Sequence, residues 1–441
     1  MTSQRTGWRL LVGSSAVVLL FKALGALGGL AFAYFTIQHS GPQSYGVAEL
    51  FLTVVTIAAV LGRLGLDGAV VRFFASYRSE GRWAAIGEGM RWAAVRVFFA
   101  TAVLAVILQI TRNMWGGAYA IDFHVAMRWF IPVAVMFSLA GFAAEALRGL
   151  GKMVPYALLQ PGPMLGAATG LLFLTSDAAM ALALAAVLWG IIGAVWLALA
   201  YTNFPKASEK PPPDKRSDVR AEIWKVARPM WYGGALYLVM SWTDTLMVGY
   251  FMTTSDLGVY RFVFRVAALI TFSQFAINAI AAPTFGALHA RKDYDQMRQS
   301  IRRIGWLNTG FATPVFVALL LGSSWIGGFF GEEFATREAL SAFAILASAQ
   351  WVNAMCGPVM YLLNMTDRER MALKILAASA VLNVVLNIWL VPRMGLVGAA
   401  WATAIGTVLW NTFAVVYIWR ADGLLMNPLL SIFKACRKTR R

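Results

Sequence analysis

The sequence predicts an all-α integral membrane protein of about twelve transmembrane helices in two six-helix lobes, with both termini on the cytoplasmic side. Three observations carry this. Of 441 residues, 59% are hydrophobic and only 13% are charged, whereas about a quarter of an ordinary soluble domain is charged. Apolar stretches of about 20 residues, long enough to cross a bilayer's hydrocarbon layer, recur from Leu10 to Val416. Most of the 38 Lys and Arg fall on alternate segments between those stretches, the inside segments if the N-terminus is cytoplasmic. Uncharged runs such as Met180 to Ala200 exclude a β-barrel, whose strands would be short and would alternate with period two.

The spans follow in order. The first, 10 to 35, lacks a small-residue cleavage site and reads as a retained helix and not a signal peptide. The second, 46 to 66, ends at Arg63 and Asp67, an i, i+4 pair at the cytoplasmic side. The third, 90 to 111, is followed by 126 to 147, which closes on the i, i+3 pair Glu145 and Arg148. The fifth, 157 to 175, and the sixth, 179 to 202, complete a first lobe, 1–203. Segment 204–228 is a cytoplasmic linker, because Pro211, Pro212 and Pro213 among charges cannot continue a membrane helix. A second lobe, 229–420, holds spans 230 to 252, 258 to 285, 303 to 323, 339 to 363, 372 to 391 and 396 to 419. A basic cytoplasmic tail, 421–441, carries Lys434, Arg437, Lys438, Arg440 and Arg441.

Outside loops hold only Arg112, Arg337 and Arg393. The formal charge of +17 is therefore explained by topology and by anionic lipid headgroups, with no nucleic acid as partner. Cys356 and Cys436 lie far apart, and no disulfide framework, metal site or redox chemistry is expected.

Each half echoes the other. Tyr45-Gly46-Val47 before the second span resembles Leu257-Gly258-Val259 before the eighth, 212 positions on (46 to 258). Leu147 to Leu158 resembles Leu362 to Leu373 at nearly the same offset. Both echoes keep the same side of the membrane, so the repeat is parallel, with a pseudo-twofold axis along the membrane normal. A cargo cavity belongs between the two lobes.

Ionisable groups inside spans cost about 2.5 to 3.5 kcal/mol each on the insertion scale and should face protein or water. Lys22 lies near the middle of the first span among small residues and is read as cavity-facing. Arg261 and Arg265, spaced i, i+4, share one face of the eighth helix; Arg96 lies about two turns inside the third, where lining the cavity and reaching lipid headgroups both fit. These four cations form the candidate substrate site, with diphosphate as the preferred ligand because a desolvated guanidinium is best compensated by phosphate. For Asp244 a structural ion pair with these arginines and a coupling-ion role both fit; for Glu49 an ion site and an interfacial position both fit. No cofactor is expected, and coupling to H⁺ or Na⁺ stays open.

Four segments then carry a family resemblance. They are Ser40 to Gly46 (SGPQSYG), Gly65 to Arg72 (GLDGAVVR), Asp244 to Phe251 with Ser255 to Tyr260 (DTLMVGYF, SDLGVY), and Pro392 to Ala400 (PRMGLVGAA). In order and topology they resemble Wzx-type polysaccharide and O-antigen flippases of the multidrug/oligosaccharidyl-lipid/polysaccharide exporter superfamily. That resemblance implies a MATE-like fold in a bacterial cytoplasmic (inner) membrane. It implies transport of polyprenyl-diphosphate-linked oligosaccharide repeat units to the outer leaflet for O-antigen, capsule or exopolysaccharide, alongside membrane lipids and a polymerase or export complex as partners. Gly46, Gly258, Tyr260, Pro392 and Gly398 carry over as turn-shaping residues, with Asp244 and Arg72 as charged members. Lys22, Arg96, Arg261 and Arg265 match no family signature and rest on charge placement.

Two other functions were weighed. A cation-coupled multidrug or small-molecule exporter of the same superfamily would need more acids deep in a lobe than the sequence supplies. A membrane glycosyltransferase or polymerase finds only Asp293-Tyr294-Asp295, a DxD in a short cytoplasmic loop without a nucleotide-sugar domain. The protein is therefore read as a transporter and not an enzyme.

Overall fold

The computed structural model describes residues 2–111, 124, 126–204, 218–366 and 368–422. The prolines of the linker, Arg112, Cys436 and the basic tail from 423 onward lie outside the described residues. Among the described residues every regular element is helical.

The helices are α1 (Thr2–Gly62), α2 (Leu66–Ser79), α3 (Trp83–Thr111), α4 (Phe130–Gly149), α5 (Met153–Leu158), α6 (Pro161–Thr175), α7 (Ala178–Thr202) and α8 (Val219–Phe251). They continue with α9 (Thr254–Ala268), α10 (Phe272–Ala290), α11 (Tyr294–Leu321), α12 (Ser323–Phe330), α13 (Arg337–Cys356), α14 (Val359–Met365) and α15 (Glu369–Asp422). Seven described stretches are long and apolar enough to cross a membrane unaided, among them Leu20–Gly62 and Glu369–Ala421. Each of those two bends at a glycine outside helical geometry, Gly41 (φ 79°) in α1 and Gly395 (φ 55°) in α15, so each is two helical segments joined at a kink. A positive φ is cheap only for glycine, which is why the bends fall there. The bend at Gly395 frees the Leu396 N–H, which donates to Glu338 Oε1 at 3.0 Å.

The chain divides into two compact units, Met1–Leu238 with Thr253–Gly258, and Val239–Met252 with the chain from Val259 onward. In the first unit α1 packs on α6 through glycines. A Cβ on Gly25 would stand 2.8 Å from Gly162 Cα, and one on Gly28 would stand 2.9 Å from Gly166 Cα. Without a hydrophobic drive between helices in lipid, such small-residue seams let backbones approach for van der Waals contact. A second layer buries Leu66, Val70, Phe74 and Tyr77 of α2 against Met90 and Val97 of α3, Phe142 of α4 and Ile223 of α8. In the second unit Phe285, Met297, Ile301, Leu362, Leu363 and Ile418 form the core.

Where the sequence suggested a crossing over 10 to 35, α1 continues unbroken to Gly41. At 1.5 Å per residue Lys22 lies about 28 Å before that bend. It shares the electrostatic surroundings of Glu145 and Arg148 at the end of α4.

Candidate functional site

Two buried polar clusters stand out, one in each unit. In the first, Glu49 is only 1% exposed, and the Tyr45 hydroxyl one turn earlier on α1 donates to its Oε1 at 3.0 Å. Thr53, a turn further on, turns its hydroxyl back to the Glu49 carbonyl at 2.7 Å. Phe32 tilts over Tyr45 with ring centroids 6.5 Å apart. Glu49 is thus buried among protein side chains. A carboxyl so placed holds or releases a proton, or a cation, at high energetic stake.

In the second unit Asp244 of α8 is 2% exposed. Its Oδ2 accepts from the Tyr260 hydroxyl at 2.7 Å and from the Thr403 hydroxyl at 3.1 Å. Its Oδ1 accepts from the Thr245 backbone N–H at 2.7 Å and from the Thr245 hydroxyl at 3.3 Å. Arg261, itself buried, donates through Nη1 to that same Thr245 hydroxyl at 3.3 Å. Its guanidinium lies 4.7 Å from the Trp242 ring centroid and 5.5 Å from that of Phe264. Arg261 and Asp244 are therefore members of one network bridged by Thr245, with the cation on an aromatic platform. Arg265 stands half-buried one turn further along α9.

The register that pairs Gly46 with Gly258 also pairs Glu49 with Arg261, each three residues beyond its glycine. Positions three beyond the two echoed glycines thus carry a buried acid and a buried base.

The other candidates fall elsewhere. Lys22 lies in the first unit, in the electrostatic surroundings of Glu145 and Arg148. Arg96 is exposed on α3 and stacks on Trp92 at 4.6 Å and Trp224 at 5.7 Å. Arg63 and Asp67 pair at 2.9 Å and Glu145 and Arg148 at 2.6 Å, the structural pairs their spacing announced. The DxD is accounted for locally: Asp293 caps α11 by accepting from the Gln296 N–H at 3.0 Å, and Asp295 meets Arg298 at 3.7 Å. Among the described residues no group of three or more His, Cys, Asp or Glu could hold a metal ion.

Sequence reasoning missed Thr403, which reaches Asp244 from 159 positions away and carries no local signal. It also took Tyr260 for a turn residue only. Its place two residues after Gly258 and beside Arg261 was the available hint.

Bent helices and polar side chains buried within them fit a multi-pass membrane transporter. The pattern that defines the polysaccharide biosynthesis protein family matches residues 14–289, and the MatE pattern matches residues 229–389. The chain belongs to the polysaccharide biosynthesis protein family, within the superfamily that also holds the MATE transporters. Two curated relatives come from Haloferax volcanii. The probable low-salt glycan biosynthesis flippase Agl15 is 25% identical over 405 residues, 90% of this chain and 80% of that protein. The probable flippase AglR is 29% identical over 198 residues, 44% of this chain and 41% of AglR, so this match spans less than half of either protein. Among solved structures, the MATE multidrug transporter DinF-BH superposes with a TM-score of 0.68 at 18% identity, covering 95% of this chain and 96% of that one. The lipid II flippase MurJ gives 0.67 at 12% identity over 92% and 87%. Those likenesses show the MATE-like fold.

Proposed function

We propose that this chain is a flippase that moves a lipid-linked glycan from the cytoplasmic to the outer leaflet of its membrane. The observation that carries the reading is the match to the polysaccharide biosynthesis family over most of the chain together with Agl15, a named glycan flippase, over nine-tenths of it. The finer reading is a polyprenyl-diphosphate-linked oligosaccharide. Arg261, on its aromatic platform and tied to Asp244 through Thr245, supports a phosphate-binding role, with Arg265 one turn away on the same face. In this reading Glu49 and Asp244 take up and release H⁺ or Na⁺, and their charge state biases the alternation of access. The cargo would serve a cell-surface polysaccharide or glycoconjugate, handed on to a polymerase or transferase on the far side.

The test is translocation of a labelled lipid-linked oligosaccharide by the reconstituted chain. Arg261→Lys should weaken transport by removing the flat fork of donors while keeping the charge. Glu49→Gln and Asp244→Asn should abolish any dependence on an ion gradient while leaving cargo binding in place. A second reading, a cation-coupled multidrug exporter, draws on the MatE match at 229–389 and on the two buried acids. Export of a cationic dye, with no movement of lipid-linked glycan, would favour it.

A further inference from the structure

On the first unit α3 and the start of α8 enclose an open groove of about 520 Å³, lined by Glu88, Arg91, Trp92, Val95, Arg96 and Arg220. Its chemistry is that of an anion site that the transport reading does not use. Trp92 and Trp224 meet edge to face with centroids 6.4 Å apart. Arg96 lies over both rings, and Arg228 lies over Trp224 at 5.3 Å. Arg91 is 5.9 Å from the Tyr201 ring and donates its Nε–H to the Gly87 carbonyl. The acid in the groove, Glu88, is taken by Arg220 at 2.8 Å. Arg91, Arg96 and Arg228 have no carboxylate partner among the described residues. A guanidinium stacked on a ring uses its face and leaves its in-plane N–H donors free, which is the geometry that takes phosphate oxygens two at a time.

The groove sits where a lipid head would be. Arg96 is the last charged residue of α3 before its end at Thr111. Beyond it Phe99, Val103, Ile107 and Ile110 are each at least half exposed and recur at helical spacing as one apolar strip. Chains packed along that strip would bring their head down onto the arginines, and tryptophans at that level mark the membrane interface. Basic residues on the cytoplasmic side attract anionic lipid and repel a choline head.

We propose that this groove holds the phosphate of an anionic phospholipid of the cytoplasmic leaflet, as a resident lipid on the outer flank of the first unit and separate from the cargo. The test is native mass spectrometry of the purified full chain given phosphatidylglycerol, phosphatidylcholine or a polyprenyl diphosphate. Three forms are compared: native, Arg96→Gln/Arg228→Gln, and Arg302→Gln/Arg303→Gln as a charge-matched control on α11. The expected result is about a tenfold or greater loss of bound phosphatidylglycerol in the groove variant only, with phosphatidylcholine unchanged. Arg96→Lys/Arg228→Lys, which keeps charge and loses the flat stack, should fall between and serves if the Gln form does not purify. Equal loss in the control variant would reduce the effect to bulk charge and overturn the site. Loss of polyprenyl diphosphate with phosphatidylglycerol intact would make the groove a cargo contact and overturn the resident lipid.

Discussion

Gly46 and Gly258 pack against each other's segment in a reciprocal contact: a Cβ on Gly46 would run into the Thr254 carbonyl, and one on Gly258 into the Pro42 carbonyl. Pro42 and Thr254 each lie four residues before their glycine.

Alanine at either glycine should therefore be costly. The Gly46 Cβ would also stand 2.8 Å from the Thr254 carbonyl carbon and 2.9 Å from Gly258 N, main-chain atoms that cannot rotate away. Each single alanine is expected to lose about 1 to 3 kcal/mol. The double variant should lose less than the sum, because both insert into one contact. Thermal melts of the four forms in detergent give the cycle, and strict additivity would contradict a shared contact.

The seam between α1 and α6 makes a sharper contrast. Gly25→Ala would set its Cβ 2.8 Å from Gly162 Cα, whereas a Cβ on Gly166 meets Gly28 Cα at an ordinary 3.8 Å. Gly25→Ala should lower the melting temperature and Gly166→Ala should leave it nearly unchanged. Gly170, with nothing within 4 Å, serves as the neutral control.

How much of this was legible in the sequence depends on how local the signal is. Long apolar windows revealed the seven described stretches fit to cross a membrane, though the window over 258 to 285 could not see the break at Leu269–Thr271; the i, i+4 and i, i+3 spacings revealed the Arg63–Asp67 and Glu145–Arg148 pairs. The echo around Gly46 and Gly258 identified two segments that touch. The reach of α1 was less legible: the window over 10 to 35 could not see that the helix runs on to Gly41. For Arg96 the cavity and the lipid headgroups stayed equally open, because hydropathy does not report which face of α3 meets other helices. Thr403 was invisible, since only the folded chain brings it to Asp244.

At Asp244, removal of the carboxylate by Ala strands the hydroxyls of Tyr260 and Thr403, buried donors that would lose their acceptor. About 3 kcal/mol or more of stability should go with it. Tyr260→Phe removes one bond and should cost about 1 to 2 kcal/mol. Melts of both variants, measured beside Asp244→Asn, separate the structural share from a transport role. An Asp244→Asn form that is stable yet insensitive to an ion gradient would mark the acid as functional.

Outside the membrane-spanning segments, Tyr77 of α2 donates to Glu222 Oε2 at 2.7 Å. Burial first, then that carboxylate, push its hydroxyl's pKa up. The folded chain therefore keeps the proton where the unfolded chain, with its tyrosine near about 10, loses it. Stability is full below that value and falls as pH rises above it. Tyr77→Phe should flatten this alkaline decline, measured as melting temperature from neutral to strongly alkaline pH.

The central claim is tested most directly by reconstituting the chain into proteoliposomes with a fluorescent polyprenyl-diphosphate oligosaccharide and following its appearance in the opposite leaflet. Native protein should translocate it, with Arg261→Lys clearly slower and Arg302→Gln at the native rate. Correctly inserted native protein that leaves the lipid-linked glycan in its original leaflet, while moving a cationic dye under an ion gradient, would contradict the account.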